Sequence, residues 1–470
     1  MIGVGLDFGT SNSAAAWYDG EKVHLVSLEE DEYVMPTATH LDRELKTLTG
    51  ANAVTRYIDE NRDRIVELTP EIIAKSTLLT NNASAGDPNV QAESETSNVY
   101  GQPWVDRGMP GRLFRGVKRL LGDPGIRRLL VFEHPFRLVA LITPVLLRIR
   151  LSIEGVLPER LGGLHFGHPI RFEGRNNKLA FDRLSEASSH AGIKQLSFYP
   201  EPVAATVSYL FDKKPGDKGC VLTVDFGGGT LDLCVLEYSG NSFNVLTTAG
   251  LPLGGDHIDQ MIFRELLFPL LGKGERWCRV KDGVEIESEF PFEEFEDKLL
   301  NWAVTYILNQ NQYRSKVADR IREGGEAKEK FQRLQELITH NYSYLVFQAI
   351  RKAKANLSVI ESTLIDIPEL DLSIELTRTI LERLLTPMLE QMDELITKTL
   401  VLAEMHERDI DVVIRTGGSS QIVAVRNMLE HRFSGKVIEH DPFTSVAAGL
   451  AIASYHGYQF ESKDHLEKIK

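Results

Sequence analysis

The stretch that decides the fold is "VDFGGGTLDLC", residues 224 to 234, where three glycines separate two runs typical of β-strands. Glycine weakens a strand because it packs no side chain and loses much backbone entropy on folding. Asp225 and Asp232 stand on either side of the glycines. Bare backbone beside two carboxylates indicates a turn that holds a ligand.

A similar pattern occurs near residue 4. "VGLDFGTSNSAAAWYDGEKVHLV" from Val4 and "LTVDFGGGTLDLCVLEYSGNSFNVL" from Leu222 both run as strand, Asp-Phe-Gly, small polar residues, second strand, turn and third strand. Asp19-Gly20 and Ser239-Gly240-Asn241 are turns that favour hairpins. The repeat predicts two similar lobes, each built on a β-meander.

Two further glycine pairs adjoin predicted helices. Gly254–Gly255 opens "LGGDHIDQMIFREL", and Gly417–Gly418 follows an apolar strand in "VVIRTGGSSQIVAVRNML". There, Ser419 or Ser420 is predicted to cap the next helix. Glycine lets backbone N–H groups approach a polyphosphate closely, and helix N-termini add partial positive charge. One such turn alone is more often only a hairpin or loop, but four in this order favour a nucleotide site.

The aspartates in these turns require a cation. A carboxylate repels phosphate, whereas Mg²⁺ takes oxygen ligands, keeps several waters and bridges phosphates. Asp7 and Asp225, one per lobe, are therefore predicted to flank Mg²⁺, and Asp232 to orient a water molecule.

Composition restricts the function classes. The chain has 470 residues and a formal net charge of −14, which disfavours nucleic-acid binding through a broad basic face. Its three cysteines form no CxxC pair, and the odd count suits a reducing compartment. We find no signal-peptide pattern. In residues 136–157, Pro144 breaks the longest uncharged run, which is then too short to span a bilayer, so we predict a buried helix there. The sequence thus predicts a cytoplasmic protein with no membrane contact.

Other segments are predicted from their patterns. Residues 331–360 and 374–405 carry apolar stripes with helical period. Residues 80–103 are polar and predict a flexible insertion or surface loop, and residues 461–470 a charged tail. Trp302 is predicted, with Trp277 and Tyr306, to be a core or interface residue because no basic patch accompanies it.

These motifs resemble the actin-like ATPase superfamily, and within it the nucleotide-binding domain of heat-shock protein 70. The segments that carry the resemblance are "GVGLDFGTSNS", "VDFGGGTLDL", "YPEPVAATVSYLFDKK" (199–214), "LGGDHID" (253–259), "VIRTGGSSQI" (413–422) and "FTSVAAGLAIA" (443–453). The resemblance runs from residue 1 to about 455. It implies an α/β, two-lobed, ribonuclease H-like fold with a duplicated mixed β-sheet core and flanking helices.

The resemblance also implies a division of the chain. "GHPIRFEG", residues 167–174, is similar to the bacterial YegD-like group, which has these ATPase lobes without a standard substrate-binding domain. We expect no peptide-binding domain after the lobes. The expected parts are lobe I, 1–214, with core 1–39 and 111–214 and upper insertion 40–110; lobe II, 215–437, with core 215–253 and 390–437 and upper insertion 254–389; a closing helix, 438–455, returning to lobe I; and a charged tail, 456–470.

Site roles follow from the same resemblance. ATP or ADP with Mg²⁺, and with K⁺ as a further candidate ion, would lie between the lobes. Asp7 and Asp225 would order the Mg²⁺ waters, while Glu201 and Asp232 would position the attacking water and ions. The residues assigned to phosphate and nucleoside contacts are Gly9, Thr10, Ser11, Asn12, Gly227, Gly228, Gly229, Thr230, Gly254, Gly255, Lys354, Ser358, Gly417, Gly418 and Ser419.

The chain departs from the family at its catalytic lysine. Val54, in "TGANAVTRY", stands where we place that lysine. Lys75 and Lys118 are alternative sources of the positive charge that phosphoryl transfer needs.

It also departs from the family at the nucleoside. Ala355 and Gln421 replace two arginines that sandwich adenine, and Arg351 replaces an acidic residue on the adenosine helix. The lost stacking predicts weaker affinity or relaxed base choice.

The predicted function is an ATP-binding, heat-shock-70-like ATPase whose slow hydrolysis is coupled to lobe closure. An unknown protein partner would bind the least regular regions, about 40–110 and 260–345. The alternatives are a nucleotide-sensing pseudo-ATPase, a small-molecule kinase of the same fold and an actin-like filament former.

Overall fold

The structure is a computed structural model of the chain. It describes residues 2–80, 93–106, 108–158, 161, 163–169, 172, 176–211, 218–281, 284–441 and 444–462. Side chains are described for these ranges except 69–105, 279–281, 284–286 and 459–462.

The first part of the chain contains most of lobe I. It forms, in order, β1 (Gly3–Phe8), β2 (Asn12–Tyr18), β3 (Val23–Leu25), β4 (Val34–Pro36), β5 (Ala38–Asp42), β6 (Thr47–Thr49), α1 (Gly50–Asn61), β7 (Leu68–Thr80), β8 (Glu93–Asp106), β9 (Gly111–Arg115), β10 (Arg128–Val131), β11 (His134–Arg137), α2 (Leu138–Val156), β12 (Leu164–His168), α3 (Asn177–His190), β13 (Leu196–Pro200) and α4 (Glu201–Leu210).

The second part contains lobe II and the final return. It forms β14 (Lys218–Phe226), β15 (Leu231–Ser239), β16 (Ser242–Leu251), α5 (Gly255–Ile262), β17 (Arg276–Lys281), β18 (Val284–Glu289), α6 (Glu293–Leu299), α7 (Asn311–Glu323), α8 (Lys328–Thr339), α9 (Ser343–Asn356), β19 (Ser362–Ile367), β20 (Leu372–Thr377), α10 (Arg378–Leu402), β21 (Val412–Thr416), α11 (Val423–Arg432), β22 (Val437–Glu439), α12 (Ser445–His456) and β23 (Gln459–Ser462).

Two mixed sheets form the core and share one connectivity. The lobe I sheet has the order β13-β12-β1-β2-β3, with β4 also paired to β2, and the lobe II sheet has the order β22-β21-β14-β15-β16-β23. In each, the Asp-Phe-Gly strand pairs antiparallel with the next strand and parallel with a later one. The predicted duplication of a mixed sheet, and the two β-meanders, are confirmed. Both Asp-Phe-Gly motifs consequently lie at the carboxyl end of a central strand.

Helices α4 and α12 lie between the two sheets. One buried cluster contains residues of both helices together with side chains from both sheets, such as Ala16 and Val221. The packing brings backbone against backbone, because a Cβ placed on Gly449 of α12 would lie 1.8 Å from the carbonyl oxygen of Ala204 in α4. These two helices therefore form the layer that separates the two sheets.

The segments predicted as upper insertions also meet, through a contact that we call the upper bridge: Tyr57, Met109, Trp302, Tyr306 and Asn309. The Tyr57 hydroxyl donates to the carbonyl of Ala303. The rings of Tyr57 and Trp302 lie 6.4 Å apart, and Asn309 Nδ2 donates to the Arg64 carbonyl at 2.9 Å. The buried core of lobe II continues through this contact into α1. The prediction that Trp302 and Tyr306 are core or interface residues is confirmed.

The end of the described chain differs from its prediction. Residues 459–462 form β23, which pairs in parallel with β16 at the edge of the lobe II sheet. Tail residues 463–470 lie outside the described residues. The closing helix begins at Ser445 rather than 438, because residues 437–439 form β22 beside β21. After α12 packs on lobe I, the chain thus returns to lobe II.

Three other segments correct the pattern-based predictions. β7 and β8 pair antiparallel over most of their length, so residues 93–103 are strand rather than loop, and residues 81–92 lie outside the described residues. Threonine, valine and tyrosine in "SETSNVYG" support a strand despite its polarity. The helix predicted over 331–360 is two helices, which Asn341 separates with φ +52°. Residues 374–377 belong to β20, whose pairing with β19 overrides the helical pattern.

The predicted buried helix over 136–157 is α2, which begins at Leu138 and contains Pro144. Its inner face packs in the lobe I core. Among the described residues, no helix has both the length and the apolarity to cross a bilayer.

His165 should make the stability of lobe I depend on pH. Its ring stacks on Tyr199 with centroids 5.3 Å apart, and burial lowers its pKa to about 4. The unfolded state then binds more protons between pH 4 and 6.5, so stability is lost as pH falls through this window. The free energy of unfolding should fall between pH 6.5 and pH 5, and His165→Gln should remove up to about 2 kcal/mol of that fall. Denaturant unfolding at pH 6.5 and at pH 5 measures the effect. The control His134→Gln, at an exposed position, should leave the pH dependence of the free energy of unfolding unchanged.

Candidate functional site

A cavity of about 180 Å³ lies where the Asp-Phe-Gly ends of the two sheets face each other. The turns after β1, β14 and β21 line it, together with the start of α12 and Glu201 at the start of α4. Of the predicted site residues, the structure brings these to the cavity wall: Asp7, Gly9, Thr10, Ser11, Asn12, Glu201, Asp225, Gly227, Gly228, Gly229, Thr230, Asp232, Gly417 and Gly418.

The cavity concentrates negative charge. Burial and the neighbouring Glu201 raise the pKa of Asp7 to about 7, against a lowering effect of Lys118. Burial, and then Asp232, Glu201 and Asp7, raise the pKa of Asp225 well above its ordinary value. Asp225 and Asp232 are register partners on β14 and β15, so the hairpin itself sets them side by side. A bound cation would relieve this repulsion.

Thr230 fixes the orientation of one of these carboxylates. Its Oγ1 donates to Asp232 Oδ2 at 2.8 Å.

In the part of the chain that the structure describes, no three His, Cys, Asp or Glu side chains converge on a point where they could ligate a metal together.

Lys118 supplies a cation to the cavity. Its Nζ donates to Glu201 Oε1 at 2.7 Å, and the two side chains are 6% and 16% exposed. Lys118 lies on a 3₁₀ turn, 117–120, entered through Gly116 at φ +66°. Val54 instead lies on α1 in the hydrophobic core, so the expectation that its position faces the site is wrong. The side chain of Lys75 is not among those described.

The sequence contained one signal for Lys118. The segment "RGVKRLLG" places two cations between a glycine and an apolar turn. A short 3₁₀ turn leaves no periodic pattern in the sequence. The position of Lys118 at the cavity is therefore evident only from its contact with Glu201, which lies 83 positions away.

The Gly254–Gly255 pair lies behind the second phosphate-loop candidate rather than at the cavity wall. The N–H of Gly255 donates to the Gly227 carbonyl at 3.0 Å, and that of Asp256 to the Gly228 carbonyl at 2.8 Å. A Cβ on Gly254 would lie 2.4 Å from the Gly228 carbonyl oxygen. The start of α5 therefore fixes the shape of the loop through close backbone contact.

Ser419 and Ser420 hold the site turns together and do not cap a helix. Ser419 Oγ donates to the Gly227 carbonyl at 2.9 Å, and Ser420 Oγ to the Gly417 carbonyl at 2.7 Å. Helix α11 begins only at Val423, with Ile422 before it. The capping prediction is wrong because a 3₁₀ turn, 418–421, intervenes and uses the hydroxyls locally.

Gly417→Ala should destabilise the protein strongly. Gly417 has φ +81°, and a Cβ there would lie 2.5 Å from the Phe226 carbonyl and 2.6 Å from Asp225 Oδ1. Gly435 is the matched control, with φ +71° and no atom within 4 Å of its Cβ. Gly435→Ala should cost about 1–2 kcal/mol from the left-handed backbone alone. Gly417→Ala should cost at least about 2 kcal/mol more in denaturant unfolding, and equal costs would contradict the clash.

The nucleoside candidates Lys354 and Ser358 line a second, smaller cavity. Lys354 Nζ donates to the Gly255 carbonyl at 3.0 Å and to Asp259 Oδ1 at 2.5 Å. Lys354 thus connects α9 to the backbone behind the glycine loop.

Arg351 uses its charge within lobe II. Its Nε donates to Asp259 Oδ2 at 3.0 Å, and Asp259 is 1% exposed. Burial would lower the pKa of Arg351, but Asp259 and Asp256 raise it above its ordinary value. Ala355 is exposed, and Gln421 Nε2 donates to Glu439 Oε1 at 3.4 Å.

Comparison with known proteins agrees with this geometry. The family described as Hsp70 protein matches residues 182–270 and 315–458, which include the second glycine loop, α9, the Gly417 turn and α12. The chain is an Hsp70-like protein. The matched ranges and the duplicated sheets agree with an actin-like ATPase fold.

Several chaperone proteins are similar to this Hsp70-like chain. It is 29% identical over 277 residues to chaperone protein dnaK of Trieres chinensis, covering 57% of this chain and 35% of the relative. It is 24% identical over 459 residues to chaperone protein dnaK of Cyanidioschyzon merolae (strain NIES-3377 / 10D), covering 96% and 61%. It is 26% identical over 319 residues to chaperone protein DnaK of Cenarchaeum symbiosum (strain A), covering 66% of this chain and 39% of the relative. The chain thus spans between about a third and three fifths of these relatives.

Proposed function

We propose that this Hsp70-like protein binds ATP or ADP with Mg²⁺ in the cavity between the lobes and hydrolyses ATP slowly. The observation that carries the proposal is that two glycine turns, one from each sheet, four carboxylates and Lys118 face one cavity. Glycine backbone suits phosphate, and the raised pKa values of Asp7 and Asp225 mark a site that favours a cation.

The chain's own groups divide the work. Backbone N–H groups of the two glycine turns would bind phosphate oxygens, and Lys118 Nζ would stabilise negative charge on the terminal phosphate. Asp7 and Asp225 would accept hydrogen bonds from the waters of Mg²⁺, which neutralises phosphate charge when bound. Asp232, oriented by Thr230, would accept a proton from the attacking water, and Glu201 would hold Lys118 in place.

Closure of the lobes is the coupled step. Contacts from both lobes to one ligand would favour the closed arrangement, because a ligand shifts an equilibrium toward the state that it binds better. The domain boundaries, the YegD-like subgroup, K⁺ binding, a cytoplasmic location and an unknown protein partner on the upper insertions belong to the same proposal. The proposed activity resides in the two lobes and requires no peptide-binding domain.

A nucleotide titration tests binding. Calorimetry with ATP and ADP, with and without Mg²⁺, should show binding that Mg²⁺ strengthens. Absence of binding to either nucleotide would sink the proposal. Product analysis should then detect ADP and phosphate, and a phosphorylated metabolite would instead support the small-molecule kinase.

Single-turnover hydrolysis tests catalysis. Asp232→Asn should slow it by about 10²-fold, the usual contribution of a positioned general base. Asp366→Asn is the control, because Asp366 is exposed on β19. If the unsubstituted protein is no faster than Asp232→Asn, the nucleotide-sensing alternative holds. Ala355, Gln421 and the internally paired Arg351 remove family contacts to the nucleoside, so they favour weaker affinity or relaxed base choice under either reading.

A further inference from the structure

Arg119 reaches across the cleft from lobe I to lobe II. It follows Lys118 on the 3₁₀ turn 117–120, whose Val117 packs in the lobe I core. Arg119 lines the cavity, and its Nη2 lies 1.7 Å from the position that a Cβ on Gly229 would take. Gly229 belongs to the turn between β14 and β15 of lobe II. The guanidinium thus rests on the bare backbone of the opposite lobe.

Gly229 differs from its two neighbours in this respect. A Cβ on Gly227 would meet no atom closer than 3.8 Å, and one on Gly228 would meet Ser11 Oγ at 3.2 Å. Gly229 has no positive φ, so its backbone would accept alanine without strain. A side chain at position 229 would therefore collide with the guanidinium of Arg119, and this contact is what favours glycine there.

Arg183 holds the turn that carries both cations. From α3 its guanidinium donates to four carbonyls at the end of this turn and in the segment after it, those of Leu120, Leu121, Asp123 and Ile126, at 2.7–3.1 Å. Lys118 turns from this anchored segment to Glu201 in lobe I, while Arg119 turns to lobe II. Two adjacent cations on one rigid support therefore contact different lobes.

We propose that Arg119 makes the phosphate site depend on lobe closure. Its guanidinium is a planar cation that can donate to two phosphate oxygens at once. It reaches Gly229 only while the lobes are close, so it joins the terminal phosphate in the closed arrangement and leaves it in the open one. This inference rests on the proposed nucleotide function. It adds a residue that senses the terminal phosphate and separates ATP from ADP.

A thermal-shift experiment separates this inference from the proposed function. ADP·Mg²⁺ and a non-hydrolysable ATP analogue with Mg²⁺ should both raise the melting temperature, the analogue by more. In Arg119→Ala the ADP shift should persist and the extra shift from the analogue should vanish. Arg127→Ala, at an exposed position of the same segment, should keep both shifts. No ADP shift in the unsubstituted protein would defeat the proposed function, whereas an extra shift that survives in Arg119→Ala would overturn the role of Arg119.

Single-turnover hydrolysis gives the second measurement. Arg119→Ala should slow the reaction by about 10²–10³-fold, as for the loss of one preorganised donor. Gly229→Ala should slow it similarly by displacing the guanidinium, and Gly155→Ala, where a Cβ meets nothing within 4 Å, should not. The double variant should be no slower than either single one, because both remove the same contact. Losses that add in the double variant would overturn the proposal. Arg119→Lys should retain part of the rate because it keeps the positive charge, whereas lysine would not rescue a purely structural role.

Discussion

Lys118→Met should lower the single-turnover rate of ATP hydrolysis by about 10²–10³-fold or more while ADP still binds. Methionine matches the length of lysine but carries no charge. The variant would leave Glu201, Asp7, Asp225 and Asp232 around the cavity without the lysine that pairs with Glu201. Because phosphoryl transfer depends mainly on positioning and charge stabilisation, the rate should fall far more than the affinity.

The controls for this variant address charge and folding. Lys398→Met removes an exposed lysine that pairs with Glu394 and should leave the rate unchanged. An unchanged ADP-induced rise in melting temperature would show that Lys118→Met retains its fold. Lys118 also lowers the pKa of Asp7 and Asp225, so its loss should raise both and make Mg²⁺ binding require a higher pH. Hydrolysis by Lys118→Met at the rate of the unsubstituted protein would refute the assigned role.

Trp302→Ala should both destabilise the protein and speed the release of ADP. Trp302 is 6% exposed in the upper bridge, where Arg115 lies 5.2 Å from its ring. Truncating a buried tryptophan costs about 3–5 kcal/mol. In the proposed function, opening of the lobes would break the upper bridge, and each 1.4 kcal/mol removed from a contact corresponds to about a tenfold change in equilibrium. We expect ADP release, measured by stopped-flow displacement, to accelerate more than about tenfold.

Trp277 provides a matched control inside one lobe. It is 4% exposed, its ring packs against Phe290 of lobe II, and its Nε1 donates to Ser288 Oγ at 3.0 Å. Trp277→Ala should therefore cost a similar free energy of unfolding without changing ADP release. If both variants release ADP equally fast, general loosening of lobe II explains the effect and the upper bridge does not control release.

Local patterns determined a large share of the fold. The Asp-Phe-Gly repeats, the hairpin turns Asp19-Gly20 and Ser239-Gly240-Asn241, and the glycine pair at the start of α5 depend on backbone conformation and strand period. Those properties belong to a few consecutive residues, so they can be read without knowing what packs nearby. The same patterns brought Asp7, Asp225 and Asp232 into one predicted cavity.

Polar composition was a poorer guide. Residues 93–103 were predicted as loop and form part of β8, because pairing with β7 satisfies their backbone. Residues 459–462 likewise become β23 only because the edge of β16 is adjacent when α12 ends. In both cases a partner strand distant in sequence determines the structure.

The sequence by itself determined the duplicated sheets, the glycine turns and the carboxylates of the candidate site, since short-range backbone chemistry encodes them. Only the tertiary structure decided which cations line that cavity. Lys118 meets Glu201 across 83 positions, and Arg119 meets Gly229 across the cleft. Val54, placed at the site by sequence, is buried on α1 instead. Such contacts depend on how two lobes pack, and no local pattern records the distance between residues on different lobes.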